Sequence, residues 1–135
     1  MKFNLEKSSA NIIHRYEPGE VEIRQARPEI SSETGQAIAK IITSGFIITP
    51  SRLIEAWDVD EQLLAISDLK LILDTHPDVI LLGTGRKAIF PKHEVIQACY
   101  EAGAGIEIMN SAAACRTYNV LASEQRNVTA ALMVV

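Results

Sequence analysis

The second half of the chain alternates apolar strand-like runs with helical segments, and this pattern constrains the fold more than any other feature of the 135 residues. Val79 to Leu82 is apolar throughout, as expected of a strand buried on both faces. The elements predicted after it are a helix over Lys92 to Ala102, a strand over Ile106 to Met109, a helix over Ser111 to Glu124 and a strand over Val128 to Val134. Because parallel strands need crossovers, which are nearly always right-handed, this β-α-β-α-β order predicts a parallel three-stranded unit packed against helices.

The first half consists of short β-rich runs separated by turn residues: Asn11 to Tyr16, Val21 to Arg24, Ala37 to Ile42 and Phe46 to Thr49. A hairpin turn is predicted at Glu17-Pro18-Gly19-Glu20, since proline fixes φ and glycine adopts positive φ freely. The short alternation in Val21 to Arg24 and in Ile38 to Ile41 predicts strands with one face covered. These strands would extend the central sheet or fold over it. We therefore predict a three-layer α/β domain with a mixed central sheet, an N-terminal β-rich half and the C-terminal β-α-β-α-β unit.

Three local features refine this prediction. Ser67 is the predicted N-cap of a helix through Leu73. Val95, Cys99 and Ala102 would lie on one stripe of the next helix, which Gly103 would end. The segment from Glu61 to Ile66 is either a preceding helical turn or a separate short element.

Composition indicates a soluble, packed globular domain. Without internal repeats or a linker, residues 1–135 are predicted to form one domain that folds alone or as a small homo-oligomer. The chain is 47% hydrophobic and 22% charged, with a net charge of −4. This charge disfavours nucleic acid as a partner, because binding to phosphates relies on clustered Lys and Arg.

The sequence also predicts a compartment, a bacterial or archaeal cytoplasm. Met1 to Lys7 lacks the apolar core of a signal peptide and the Arg-rich character of a mitochondrial presequence. The longest apolar stretches are far too short to span a bilayer. Cys99 and Cys115 lack the spacing of a redox or zinc site, so we expect reduced structural thiols and neither a metal nor a cofactor.

The first candidate site is the glycine-rich loop Gly83-Thr84-Gly85-Arg86, at the carboxyl end of a buried strand, where α/β sheets usually bind ligands. A dinucleotide fingerprint would need a third glycine where Ala88 stands, and the Gly-Lys-Ser/Thr ending of a P-loop is absent. The loop is therefore either a tight turn or a small anion site.

The second candidate site follows the next strand and comprises Asn110, Ser111, Cys115 and Arg116. Asn110 or Ser111 would cap the helix, whose first N–H groups attract negative charge, and Cys115 near this helix end could have a lowered pKa. If the two strands are parallel neighbours, Arg86 and Arg116 could converge on one carboxylate or phosphate.

A structural interpretation of the same residues stays open. In it, the alanines of this helix pack, and Arg116 pairs with Glu124 or Glu107. Asn119 or Thr117 would bond to backbone groups.

Catalytic residues are not predicted, since the chain lacks the nucleophile-elbow and zinc-hydrolase motifs and has no carboxylates clustered at helical spacing. Asp58 and Asp60 are expected in a solvated turn, and Trp57 as a core or rim anchor.

Three segments together resemble one known family: Leu81 to Gly85, Ser111 to Asn119, and Glu124 to Leu132. The chain is similar, from the Tyr16 region to Val134, to the small domain family that includes a mitochondrial complex I assembly factor and the adipogenesis-associated domain protein, with many uncharacterised bacterial and archaeal members. The resemblance implies a three-layer α/β fold without an established enzymatic activity and without agreed catalytic residues to carry over.

Two functions follow from these observations. The first is a non-enzymatic interaction or assembly protein with a protein partner, in complex I assembly by resemblance. The alternative is a small-molecule anion-binding protein or unrecognised enzyme that uses the two loops, with Arg86 and Arg116 as charge partners.

Overall fold

The computed structural model describes residues 10–60 and 64–135. The expectation about Met1 to Lys7 lies outside these residues, as does the first part of the segment from Glu61 to Ile66. Ten strands are present in the described parts: β1 (Ile12–Glu17), β2 (Glu20–Arg24), β3 (Glu29–Ile30), β4 (Ala37–Ile38), β5 (Lys40–Ile42), β6 (Phe46–Ile48), β7 (Leu53–Glu55), β8 (Val79–Gly83), β9 (Gly105–Met109) and β10 (Val128–Leu132). The helices are α1 (Lys70–Leu73), which continues a 3-10 turn over Ile66–Leu69, α2 (His93–Glu101) and α3 (Ser111–Ser123). None of the helices in the described ranges is long and apolar enough to cross a membrane.

The central sheet has five strands in the order β7-β6-β10-β8-β9. Strand β8 pairs in parallel with both β10 and β9, which confirms the predicted parallel unit. Strands β6 and β7 extend it in antiparallel fashion beside β10, so the sheet is mixed. Strand β10 is entirely buried, and its one polar side chain, Thr129, shares a hydrogen bond of 2.6 Å with the Thr75 hydroxyl.

A second sheet, in the order β1-β2-β5, folds over one face of the central sheet. The β1–β2 hairpin is confirmed, with Gly19 at φ +80° in the turn. Side chains from the small sheet, including Ile23 and Ile42, join Phe46 and Tyr118 in one core cluster. A second cluster on the other face contains Trp57 and residues of α1 and α2. The central sheet is thus sandwiched between two further layers, which confirms the predicted three-layer α/β architecture.

The predicted strand over Ala37 to Ile42 is wrong as a single element. Residues Ala37 and Ile38 pair with β3 in an isolated two-stranded arm, whereas Lys40 to Ile42 pair with β2. Neither face of the alternating segment is uniformly covered, because Ile38 and Ile41 are both exposed. The alternation therefore reflects two short pairings in different sheets.

Two helix details also differ from prediction. The Asp68 carboxylate, and not Ser67, accepts the Ala65 N–H at 2.8 Å at the start of the 3-10 turn. Ala102 is the exposed C-cap of α2 and lies outside the buried stripe, which contains Val95 and Cys99. The expectation for Trp57 is confirmed, since its ring is buried and its Nε1 donates to the Asp68 carbonyl at 3.1 Å.

Candidate functional site

The two predicted loops meet at the carboxyl ends of β8 and β9. The Ser111 N–H donates to the Gly85 carbonyl at 2.7 Å, and the Gly85 N–H donates to the Ser111 hydroxyl at 2.8 Å. Because β8 and β9 are parallel neighbours, their ends lie at the same edge of the sheet and bring the loops together.

Gly83 allows α3 to approach β8 closely. A Cβ at this position would lie 2.6 Å from Leu132 Cδ2 and 3.0 Å from Ala114 Cβ, distances that would force a displacement. Gly85 has φ +88°, a conformation that favours glycine. Both glycines are thus explained by packing and backbone geometry.

The polar groups of the loops are occupied by one another. Buried Thr84 donates its hydroxyl to the Lys87 carbonyl and accepts the Ile89 N–H at 2.8 Å. Ser111 is fully buried, and its hydroxyl also donates to the Met133 carbonyl at 2.6 Å. The Asn110 side chain accepts the Ala113 N–H at 2.8 Å and so caps α3. These three side chains hold the loops together.

The pKa of Cys115 is shifted in the opposite direction from the one expected of a cysteine near a helix N-terminus. Burial raises the pKa of the Cys115 thiol to about 12, although the positive charge of Arg116 opposes this shift. The expectation of a lowered pKa is therefore wrong, because desolvation of the thiolate outweighs the neighbouring charge. At neutral pH the thiol is protonated and is a poor nucleophile. Cys99 is also a buried free thiol, and burial raises its pKa as well.

Arg86 and Arg116 are the charged groups at this edge. Both side chains are exposed, and neither forms an ion pair with any residue that the structure describes, so the predicted pairing of Arg116 with Glu124 or Glu107 is wrong. The charge of Arg86 tends to lower the pKa of the Tyr16 hydroxyl, and the charge of Arg116 tends to lower the pKa of the Cys115 thiol. The two arginines therefore lie beside one small cluster that contains Tyr16 and Cys115.

Tyr16 is the member of this cluster that the sequence did not indicate. Burial raises the pKa of its hydroxyl, and neighbouring Cys115 acts in the same direction, whereas the Ser111 side chain and the charge of Arg86 oppose this shift. Tyr16 is on β1, 70 residues from Arg86 and about 100 from Cys115 and Arg116, and no local motif connects them. Only the folding of the small sheet onto α3 brings it there.

A groove of about 250 Å³ lies between β1 and α3 at this cluster. Tyr16, Cys115, Arg116 and Asn119 line it, together with Arg15. The charge of Arg15 is more than balanced, because its guanidinium pairs with three carboxylates of the β1–β2 hairpin, those of Glu17, Glu20 and Glu22. The positive charge available to a ligand in this groove is therefore that of Arg116, with Arg86 nearby.

The predicted bond from Asn119 to the backbone is confirmed, and its partner is strand β1. The Ile13 N–H donates to Asn119 Oδ1 at 2.9 Å, and Asn119 Nδ2 donates to the Ile13 carbonyl at 2.7 Å. The adjacent Tyr118 hydroxyl donates to the Asn11 carbonyl at 2.8 Å. The amide of Asn119 thus pairs with β1 as a neighbouring strand would.

Metal-binding side chains are not clustered in the described parts of the chain, which contain no group of three or more His, Cys, Asp or Glu placed to hold an ion.

The model of the family described as "Protein of unknown function (DUF498/DUF598)" matches residues 13–133. The chain is 40% identical over 85 residues to a "13 kDa major membrane protein" of Francisella tularensis subsp. holarctica, covering 62% of this chain and 69% of that protein. It is also 28% identical over 138 residues to the human "NADH dehydrogenase (ubiquinone) 1 alpha subcomplex assembly factor 3", covering 89% of this chain and 74% of that protein.

Among solved structures, the solution structure of XCC1710 from Xanthomonas campestris is similar over nearly its whole length. Its TM-score is 0.74 at 34% identity, covering 99% of this chain and 92% of that one. The fold described above is therefore shared with an experimentally determined relative.

Proposed function

The chain belongs to the family of proteins of unknown function DUF498/DUF598, and we propose that it is a non-enzymatic interaction or assembly protein that acts in the cytoplasm. By likeness to the human assembly factor, its partner is a subunit of a respiratory NADH dehydrogenase. The proposal goes beyond the family, whose function is unknown.

One observation supports the absence of catalysis in this proposal. The groups that could perform chemistry at the strand ends are used inside the protein, since Thr84, Asn110 and Ser111 bond to neighbouring loop atoms. The Cys115 thiol is buried and protonated at neutral pH, with burial as the cause of its raised pKa. These side chains therefore hold the two loops in place, and none of them is an activated nucleophile or base.

The test is recovery of a partner from the organism's own cells. An affinity-tagged chain expressed at its native level would be cross-linked before lysis, purified and analysed by mass spectrometry. We expect specific recovery of an NADH dehydrogenase subunit and a lower amount of assembled enzyme when the gene is deleted. Deletion without effect on the assembled enzyme, together with recovery of no specific protein, would overturn the proposal.

A second candidate function is binding of a small anion, such as phosphate or a carboxylate, at Gly83 to Arg86 and Asn110 to Arg116. Two exposed arginines without ion pairs in the described structure flank the Tyr16 and Cys115 cluster, and this observation favours the candidate. Thermal-shift measurements with inorganic phosphate and citrate would test it. A ligand at 100 times its Kd should stabilise the protein by about 2.7 kcal/mol.

The matched variants are Arg116→Ala and Arg86→Ala, with Arg27→Ala as the control, because Arg27 is an exposed arginine outside the loops. Stabilisation lost in the first two variants and kept in the control is expected. Equal responses from all three variants would show that the anions act on the protein in general.

A further inference from the structure

A groove separate from the two loops lies beside the edge strand β9. It is defined by Leu81, Tyr100, Glu107, Thr117, Leu121 and Arg126, has a volume of about 420 Å³, and is called the β9 groove below. Gly105 also lines the groove, and because glycine has no side chain it takes up no space there.

The groove exists because one layer of the fold stops short of the sheet edge. On the central sheet, helix α3 packs over β8 and β10 and contacts β9 only slightly. Strand β1 of the small sheet packs against the flank of α3 that faces away from β9. Neighbouring helix axes lie about 8–10 Å apart and neighbouring strands about 4.8 Å apart. A helix placed beside α3, opposite the small sheet, would therefore lie over β9.

The walls of the groove suit a helix. Thr117 and Leu121 are four residues apart, so they face the same side of α3, and both are half-buried. On the far side Tyr100 is 58% exposed, a large apolar ring left in solvent. Aromatic side chains of this kind are enriched at protein interfaces.

Two opposite charges flank the apolar floor. Glu107 and Arg126 both line the groove, both are exposed, and neither pairs with another described residue. A complementary partner would present a basic residue to Glu107 and an acidic residue to Arg126. A second copy of this chain fits poorly, because two-fold antiparallel pairing with full overlap of β9 would place Glu107 opposite its own copy.

We propose that the β9 groove is the docking site for an amphipathic α-helix of a partner protein, whose apolar stripe carries a Lys or Arg that meets Glu107. This inference rests on the proposed interaction function and specifies the surface and the chemistry of the partner. The helix would pack against Thr117 and Leu121 and complete the layer that ends at α3.

The test uses the full chain in its own cells, with the photo-cross-linking amino acid benzoylphenylalanine at position 117. The control places the same residue at position 33, in the exposed turn between β3 and β4. We expect position 117 to cross-link to one segment of one protein, with apolar residues at helical spacing and a basic residue among them. Circular dichroism of this segment as a peptide, with and without the chain, would check its helicity.

Charge variants then test the recognition itself. Glu107→Lys should lower recovery of the partner about tenfold or more, because a complementary charge is replaced by a repulsive one. Glu33→Lys makes the same charge change outside the groove and should leave recovery unchanged. Replacing the partner's basic residue with Glu should restore binding to Glu107→Lys.

The outcomes separate this inference from the proposed function. Recovery of a partner that is indifferent to Glu107→Lys, or that cross-links only at position 33, would overturn the β9 groove and leave the interaction function standing. Cross-linking to a second copy of the chain or to a non-helical segment would also overturn it. Recovery of no partner, together with a gene deletion that leaves the assembled NADH dehydrogenase unchanged, would overturn both.

Discussion

Ser111 shows at the scale of one residue how a predicted ligand-binding group serves the fold. Its hydroxyl accepts from Gly85 and donates to Met133, so it joins the first loop, the start of α3 and the segment after β10. In the sequence, a serine at a helix start equally indicates a cap or an anion contact. The distinction depends on whether its hydroxyl is already bonded, which only the packed structure decides.

We expect Ser111→Ala to lower the free energy of unfolding by about 1–3 kcal/mol, because a buried donor and a buried acceptor lose their partner. Urea denaturation followed by circular dichroism measures this. The control is Ser123→Ala, on the exposed end of the same helix, which should change stability by less than about 0.5 kcal/mol. Equal effects of the two substitutions would contradict the structural role of Ser111.

Because burial raises the pKa of the Cys115 thiol, we expect the protein to lose stability at alkaline pH. Its pKa is raised from 9.0 to about 12 in the folded protein, so the folded state disfavours the thiolate. The unfolded chain loses this proton near pH 9, and stability therefore falls as the pH rises from about 9 towards 12. One such group contributes at most about 1.4 kcal/mol per pH unit.

Urea denaturation at several pH values between 8 and 11 would measure this dependence. Cys115→Ala should show a shallower loss than the unmodified protein, while the contribution of Tyr118, whose pKa is also raised by burial, remains in both. Parallel curves for the two proteins would refute the assignment.

At the scale of the elements, close approach of α3 to β8 positions the candidate site. The approach depends on Gly83 on the strand and on Ala114 on the helix. A methyl group added at Gly83 would collide with the Ala114 side chain. Asn119 then fixes β1 to the other side of the same helix. The sequence indicated the small residues and a backbone role for Asn119, but Asn119 and β1 are more than 100 residues apart, so the partner strand could not be read from local pattern.

Gly83→Ala should destabilise the protein by about 1–3 kcal/mol, the range for overpacking a filled core. Gly105→Ala is the matched control on the neighbouring strand. Its added Cβ would meet only the Asp78 carbonyl, at 3.8 Å, so no loss is expected. Thermal and urea denaturation of both variants would measure the difference, and a destabilised Gly105→Ala with a stable Gly83→Ala would reverse the interpretation.

On the scale of the whole molecule, two core clusters lie on opposite faces of the central sheet, and the β3–β4 arm belongs to neither. Its strand residues are all exposed, including Ile30 and Ile38. An isolated two-stranded hairpin is only marginally stable in water. The arm therefore contributes little to the stability of the remainder.

Replacing residues 28–38 with Asn-Gly should leave the free energy of unfolding within about 1 kcal/mol of the original, because little buried area is lost and a shorter loop costs less entropy. Within this segment only Pro28 and Ser31 are half-buried, and the other residues are exposed. Calorimetry and urea denaturation would measure this. Ile23→Ala, in the adjacent buried strand, is the positive control, with an expected loss of about 2–5 kcal/mol. A loss of similar size in the arm deletion would show that the arm is part of the cooperative fold.

The sequence by itself determined the parallel unit, the β1–β2 hairpin and the three-layer class, because continuous apolar runs, helical periodicity and turn residues act over a few neighbouring positions. Only the tertiary structure decided that β10 enters between β6 and β8, that Ala37 to Ile42 divides between two sheets, and that Tyr16 joins Cys115 and the two arginines. It also decided that burial raises the pKa of the Cys115 thiol and that a groove stays open between α3 and β9. The physical reason is the same in each case: pairing, desolvation and coverage depend on contacts between residues far apart in the chain, which local pattern does not encode.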